Sequence, residues 1–343
     1  MNNKIRNVIA GGILLLVLAG FAFFYQKGEP EQKPISASSF KLNTVVNITI
    51  YDSQDESLLQ EAMALCDKYE AIFSRTRESS ELYKLNQGLL PKNGNAFALS
   101  PELAELTAKG LSYGQLSDGA FDIAIQPVSS LWDFTSEEKQ IPSEEDIKAK
   151  LPLVNYEDVI LDGTSLTFRK DGMGLDLGAI AKGYIADKIK EFLLSKGVKS
   201  AIINLGGNVL CIGSKPDKTP FRIGIQKPFA DRSETIATVD ITDQSVVSSG
   251  IYERFFEKDG QLYHHILNPK TGYPYDNSLI SVTIICDSST DGDGLSTSCF
   301  ALGLEKGMEL INSLPGVHAV FITSDDKLHY SENFQKETSL RES

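Results

Sequence analysis

Alternating apolar and polar positions mark most of the strands in this chain. Val45-Val46-Asn47-Ile48-Thr49-Ile50-Tyr51 has period two and is rich in β-branched residues, which predicts a strand. Leu58, Leu59, Ala62, Leu65, Cys66, Tyr69, Ile72 and Phe73 recur instead at three- and four-residue intervals, the stripe of an amphipathic helix. Ser100 and Pro101 supply a cap and a first-turn proline for a helix through Leu103, Leu106 and Leu111. Asp162-Gly163 separates runs at 157–161 and 164–169 and predicts a hairpin. A helix over about 178–196 is stopped by Gly197. Short strands follow at 200–204, 221–226, 235–241, 253–257, 262–267 and 279–286, then a helix near 293–314 and a closing strand at 317–323. Strands mostly succeed strands, so the prediction is an α+β fold of largely antiparallel sheets with packed helices, not a doubly wound fold.

One segment fits neither period. Lys4 and Arg6 precede an uncharged 18-residue run, Val8 to Tyr25, long enough to cross about 30 Å of hydrocarbon as a helix. The run goes on through Phe21, Ala22, Phe23, Phe24 and Tyr25 where a cleavage site needs small residues, so it reads as an uncleaved anchor. Phe21 also stands where lipidation after Leu18-Ala19-Gly20 would need cysteine. Cations on the N-terminal flank put that end in the cytoplasm and everything after Gln26 outside. The expectation is a bacterial single-pass membrane protein: anchor 1–25, a Pro/Glu/Lys/Ser-rich tether 26–39, an extracytoplasmic domain 40–330 and a tail 331–343.

Charge narrows the function. Lys+Arg number 33 against 46 Asp+Glu, a net −13 over 343 residues. That excludes sequence-independent nucleic-acid binding, which needs a basic face, and it lets an anionic ligand bind only where something local, such as a divalent metal, offsets the repulsion. Cys66, Cys211, Cys286 and Cys299 lie in apolar contexts without C-x-x-C spacing. They read as buried free thiols rather than disulfides or a zinc site.

Four clusters could carry chemistry. Asp176-Leu177-Gly178-Ala179-Ile180-Ala181-Lys182-Gly183-Tyr184 opens a helix with small residues and a lysine, which suits a phosphate, although Asp176 as a cap would explain it too. Asn204-Leu205-Gly206-Gly207-Asn208 follows a strand without G-x-G-x-x-G spacing, so it is a turn or a ligand-facing loop, not a dinucleotide motif. His264-His265 stands at a strand end, where only one of two neighbours can line a site. In Asp291-Gly292-Asp293-Gly294-Leu295-Ser296-Thr297 the residues Asp293 and Thr297 are four apart, hence on one helical face. As hard oxygen donors they suit Mg²⁺, unless Asp291 or Asp293 merely caps the helix.

Taken in order, GAFDIAIQPV (119–128), LWDF (131–134), DLGAIAKGY (176–184), NLGGN (204–208), IQKP (225–228), SSGIYERFF (248–256), YHHILNPKTGYP (263–274) and DGDGLST (291–297) resemble the motif series of the ApbE family, the FAD:protein FMN transferases, over about 42–325. The resemblance implies a T-fold-related architecture, FAD as substrate and Mg²⁺ as cofactor. It implies a metal site at Asp293, Thr297 and the Ala179 carbonyl. FAD contacts are implied at Leu42, Ala120, Phe121, Asp122, Asp176, Lys182 and Ile266, and catalytic roles for His265 and Asp293. The partner it implies is an extracytoplasmic flavoprotein acceptor with a Ser/Thr motif. The chain contains no Gly-Ala-Thr, the sequence family acceptors carry, so self-modification is not expected. Leu42-Asn43-Thr44 replaces the family's usual Met-Gly-Thr, Thr76 stands where a flavin-stacking aromatic is common, Gly292-Asp293-Gly294 replaces Ala-Asp-Ala, and Asn268 replaces Asp. An FAD pyrophosphatase, in which water attacks, and a non-catalytic flavin carrier are the alternative functions.

Overall fold

A hairpin of β1 (Ile35–Lys41) and β2 (Thr44–Ile50) begins the fold, turning through Leu42 and Asn43, both at left-handed φ of 55° and 57°. The structure, a computed structural model, describes residues 33–342 except 137, 232 and 333. The expected anchor at 1–25 and the first part of the tether lie outside the described residues. Among the described residues no helix is long and apolar enough to cross a membrane.

Helices α1 (Glu56–Phe73) and α2 (Glu81–Asn86) follow, then β3 (Lys92–Asn93), β4 (Ala96–Ala98) and α3 (Pro101–Leu116). Ser100 accepts from the Leu103 N–H, so the predicted cap is in place. Short helices α4 (Gln126–Ser129) and α5 (Glu144–Lys150) lead to the hairpin β5 (Val159–Asp162) and β6 (Ser165–Phe168), and then to α6 (Ala181–Ser195). The strands β7 (Ala201–Leu205), β8 (Asn208–Ile212), β9 (Phe221–Gln226), β10 (Thr235–Ile241), β11 (Ser245–Gly250), β12 (Phe255–Lys258), β13 (Gln261–His264) and β14 (Leu279–Cys286) come next. The chain closes with α7 (Ser289–Asn312, broken at Gly303), β15 (His318–Thr323), β16 (Leu328–Tyr330), α8 (Phe334–Glu337) and β17 (Ser339–Glu342).

The α+β prediction holds. An antiparallel eight-stranded sheet runs β1-β2-β7-β8-β11-β14-β15-β16. Period two sorts its side chains. Val46, Ile48 and Ile50 of β2, with Ile203, Leu205 and Leu210, enter the main core with α1, α6 and α7. Cys211, Val246, Ile285 and Val320 face the other way, onto the three-stranded sheet β17-β10-β9 and its second core. β14 is buried along its whole length because it is covered on both faces, and so its sequence is apolar almost throughout instead of alternating. All four cysteines are buried and free, as expected.

Several boundaries need correction. Residues 35–39, read as the end of a tether, belong to β1 and pair with β2, because the hairpin turn and the seven cross-strand partners of β1 outweigh their weak hydropathy. The tail 331–343 holds α8 and β17, and Phe334 and Leu340 pack into the second core. β8 and β11 were not predicted as strands. α6 begins at Ala181, not 178, and α7 begins at Ser289, not 293.

Candidate active site

The site lies where α6 meets the start of α7. A Cβ on Gly183 would sit 2.2 Å from the Ser289 carbonyl oxygen, so only glycine lets the two backbones approach this closely. The contact brings the Gly183 N–H to Asp293 Oδ2 at 2.6 Å. Asn208 Nδ2 donates to the other carboxylate oxygen at 3.0 Å. Asn208 Oδ1 in turn accepts from Ser289 Oγ at 2.7 Å, and Ser289 Oγ lies 3.0 Å from Ser245 Oγ. One turn along α7, Thr297 Oγ1 lies 3.0 Å from Ser249 Oγ.

These contacts show that Asp293 is not needed as a cap. Ser288 caps α7 by accepting from the Asp291 N–H, and Asp187 of α6 takes the Ser289 and Thr290 N–H groups at 2.8 and 2.9 Å. The helix end is therefore satisfied without Asp293, whose carboxylate is interior and 5% exposed. Burial pushes its pKa up, opposed by the Lys182 charge and the Asn208 and Gly183 hydrogen bonds. A buried anion of this kind calls for a cationic partner.

The donor set fits a small hard cation. Asp293, Thr297 and the Ala179 carbonyl in the turn just before α6 are all oxygens, and each Asp293 oxygen accepts one hydrogen bond, leaving lone pairs free. Among the described residues no group of three or more His, Cys, Asp or Glu side chains is placed to hold a metal. A single-carboxylate oxygen site is one that Mg²⁺ completes with water and phosphate.

The histidines diverge as period two requires. β13 ends at His264, whose ring is buried edge-on against Phe300 with Nε2 2.9 Å from the Tyr275 carbonyl oxygen. His265 follows the strand, half-buried, with Nδ1 3.2 Å from the Arg254 carbonyl oxygen. Since a carbonyl can only accept, Nδ1 carries the proton and Nε2 keeps its lone pair for another group. Desolvation, then the Arg254 charge, push the His265 pKa down to about 3, with Lys182 contributing in the same direction. The imidazole is neutral at pH 7. Lys182 thus acts electrostatically on both Asp293 and His265 and links the two halves of the site.

A second wall holds most of the residues implied for FAD. Tyr275 donates its hydroxyl to the Ala120 carbonyl at 2.8 Å and its N–H to the Ile266 carbonyl at 3.0 Å, joining those loops. The Phe121 ring is buried edge-on against Tyr113, and its N–H donates to Ser117 Oγ at 2.8 Å. Asp122 accepts from the Ala124 and Tyr156 N–H groups, and burial raises its pKa to about 6. Asp176 does not cap α6. It accepts from the Gly178 N–H and Ser129 Oγ, pairs with Arg75 at 3.1 Å, and donates its own N–H to Ile123. Leu42 sits apart in the β1–β2 turn, tied to α1 by its N–H to Glu70.

Asn208, Ser249, Asp187, Arg75 and Tyr275 were not predicted as site residues. Asn208 did leave a signal: it shares the inward row of β8 with Leu210 and Ile212, where a polar side chain needs a partner. Asp187 left none, being one more polar residue on a helix.

Known proteins of similar sequence and fold point to one family. The ApbE family description matches residues 42–321. An FAD:protein FMN transferase of Klebsiella pneumoniae is 38% identical over 297 residues, covering 86% of this chain and 91% of its own. One from Treponema pallidum is 33% identical, covering 93% and 92%. Among solved structures, the ApbE protein from Thermotoga maritima superposes with a TM-score of 0.80 at 31% identity, covering 89% of this chain and 99% of that one. The flavin transferase ApbE from Vibrio cholerae gives 0.79 at 27% over the same shares.

Proposed function

The chain belongs to the ApbE family, and from that premise we propose that it is an FAD:protein FMN transferase, moving FMN from FAD onto a threonine or serine hydroxyl of a second protein and releasing AMP. The observation that carries the reading is the buried Asp293 carboxylate, held by Gly183 and Asn208 with Thr297 one turn away. Asp293, Thr297 and the Ala179 carbonyl would hold Mg²⁺, which supplies positive charge against the FAD pyrophosphate. Ala120, Phe121, Asp122, Asp176 and Ile266 form the flavin-side wall, and Leu42, apart from them in the β1–β2 turn, is the remaining FAD contact of the reading. Lys182 faces the phosphates and stabilises charge building on the departing AMP oxygen.

The acceptor oxygen bonds to the riboflavin-side phosphorus as the phosphorus–oxygen bond to AMP breaks. His265 Nε2 takes the hydroxyl proton, being neutral with its other nitrogen committed to Arg254. Asp293 is the alternative proton acceptor. The N-terminal run at 8–25 anchors the chain in a bacterial membrane, leaving the catalytic domain on the extracytoplasmic side. The test is to mix the full chain with FAD, Mg²⁺ and a Gly-Ala-Thr acceptor. In-gel flavin fluorescence on the acceptor with stoichiometric AMP supports transfer. Free FMN and AMP without labelling would make the protein an FAD pyrophosphatase, and neither product would make it a flavin carrier.

A further inference from the structure

On the side of the large sheet away from α6 and α7 lies a cavity of about 410 Å³ that the site described above does not use. Its floor is the outward row of the sheet, including Val45, Asn47, Asn204 and Ser248, and its wall is β9. Glu253 is the one charged side chain among its lining residues. Such a lining does not suit a phosphate or a nucleotide. β9 ends the three-stranded sheet, so one side of its backbone ladder has no strand partner among the described residues.

The rim is aromatic and strained. Phe229, in the loop after β9, has a φ of 58° and is 50% exposed. A bulky residue seldom adopts that conformation, and where it does the surroundings hold it there. Its ring lies edge-on to Phe255 at 5.5 Å and to Tyr252 at 6.0 Å.

Three short connections join this groove to the catalytic groups. Ser248 lines it, and the next residue, Ser249, holds Thr297. Gly206 and Gly207 line it, and the next residue, Asn208, holds Asp293. Tyr252 lines it, and two residues on the Arg254 carbonyl holds His265.

We propose that this groove is the docking site of the acceptor protein, which enters as an extended segment along the free edge of β9 and delivers its hydroxyl to the His265 end. An unpaired strand edge beside a nearly uncharged cavity is the chemistry that recognises extended polypeptide. At Gly207 a Cβ would meet nothing within 4 Å, which leaves room for the segment's backbone to come close. The inference rests on the transferase reading.

The test uses the full chain, a flexible Gly-Ala-Thr peptide and two variants, Phe229→Gly and Val45→Trp. Glycine relieves the left-handed position, and Val45 is 53% exposed, so both variants should fold. Each should raise the peptide KM about tenfold or more while FAD affinity, read from flavin fluorescence, stays within about twofold. Unchanged peptide KM in both variants, or an equal loss of FAD affinity, overturns the proposal. Hydrogen exchange of β9 with peptide, run beside a transfer assay that contains FAD and Mg²⁺, separates the two readings. Protection of β9 without FMN transfer leaves the groove standing and sinks the transferase reading. Transfer without β9 protection does the reverse.

Discussion

The two faces of the eight-stranded sheet are built to different standards. On the inner face the polar groups of the site are tied together, Asp293 to Gly183 and Asn208, Ser289 to Ser245, Thr297 to Ser249. On the outer face a three-stranded sheet covers only part of the strands and leaves a cavity beside Asn47 and Asn204. The closed face fixes charges in a dry, low-dielectric setting, where preorganised groups act most strongly on a developing charge. The open face offers backbone and room. Chemistry needs the first and a macromolecular substrate needs the second.

The largest test of that division compares the two histidines. His265→Ala should slow transfer about 10²–10⁴-fold with Tm nearly unchanged. His264→Ala should instead cost roughly 1–3 kcal/mol of stability, because its ring satisfies the buried Tyr275 carbonyl. Equal kinetic effects from both would show that the turn, not one imidazole, is what matters.

Next come the neighbours on β11. Ser249→Ala should shift the Mg²⁺ concentration for half-maximal rate by roughly tenfold, as losing the partner of a metal ligand does. Ser248→Ala, on the outward side, should leave that curve in place. A smaller effect is expected from deleting residues 339–343. This removes Leu340 from the second core and the Arg341–Asp240 ion pair, for about 1–2 kcal/mol of stability in a denaturant melt, with kcat unchanged.

Smallest is a pH effect in the flavin-side wall. The folded Asp122 pKa, raised to about 6 by burial, exceeds the unfolded value near 3.9. The folded state binds more protons between those values, so Asp122 makes stability fall as pH rises from about 4 to 6. Asp122→Asn should flatten that stretch of a Tm-against-pH curve, and an unaltered slope would remove Asp122 as its source.

The same contrast governed what could be read from sequence. Inner-face elements carry strong periods and caps, as in Ser100-Pro101 before α3 or the stripe of α1, and the motifs that resemble the ApbE series sit at their ends. β1 was hidden because Ile35-Ser36-Ala37-Ser38-Ser39-Phe40-Lys41 has little hydropathy and owes its order to pairing with β2. The start of α7 was missed because Ser288-Ser289-Thr290-Asp291-Gly292 looks like a turn until Asp187, about a hundred residues earlier, takes its N–H groups. Asp293 and Thr297 could be paired by helical spacing alone. That Asn208 and Ser249 hold them depends on tertiary contacts, which no local pattern reports.

The central claim is that Asp293 is an anionic metal ligand and not a helix cap. AMP release from FAD, followed against Mg²⁺ concentration for the wild type and Asp293→Asn, tests it most directly. Ser288 already caps α7 and asparagine keeps an acceptor for Gly183 but loses the one for Asn208 Nδ2, so the metal-free variant should stay folded with a loss of about 1–3 kcal/mol. The account predicts no AMP release from the variant at Mg²⁺ levels that saturate the wild type. Wild-type activity with an unshifted Mg²⁺ curve would contradict it.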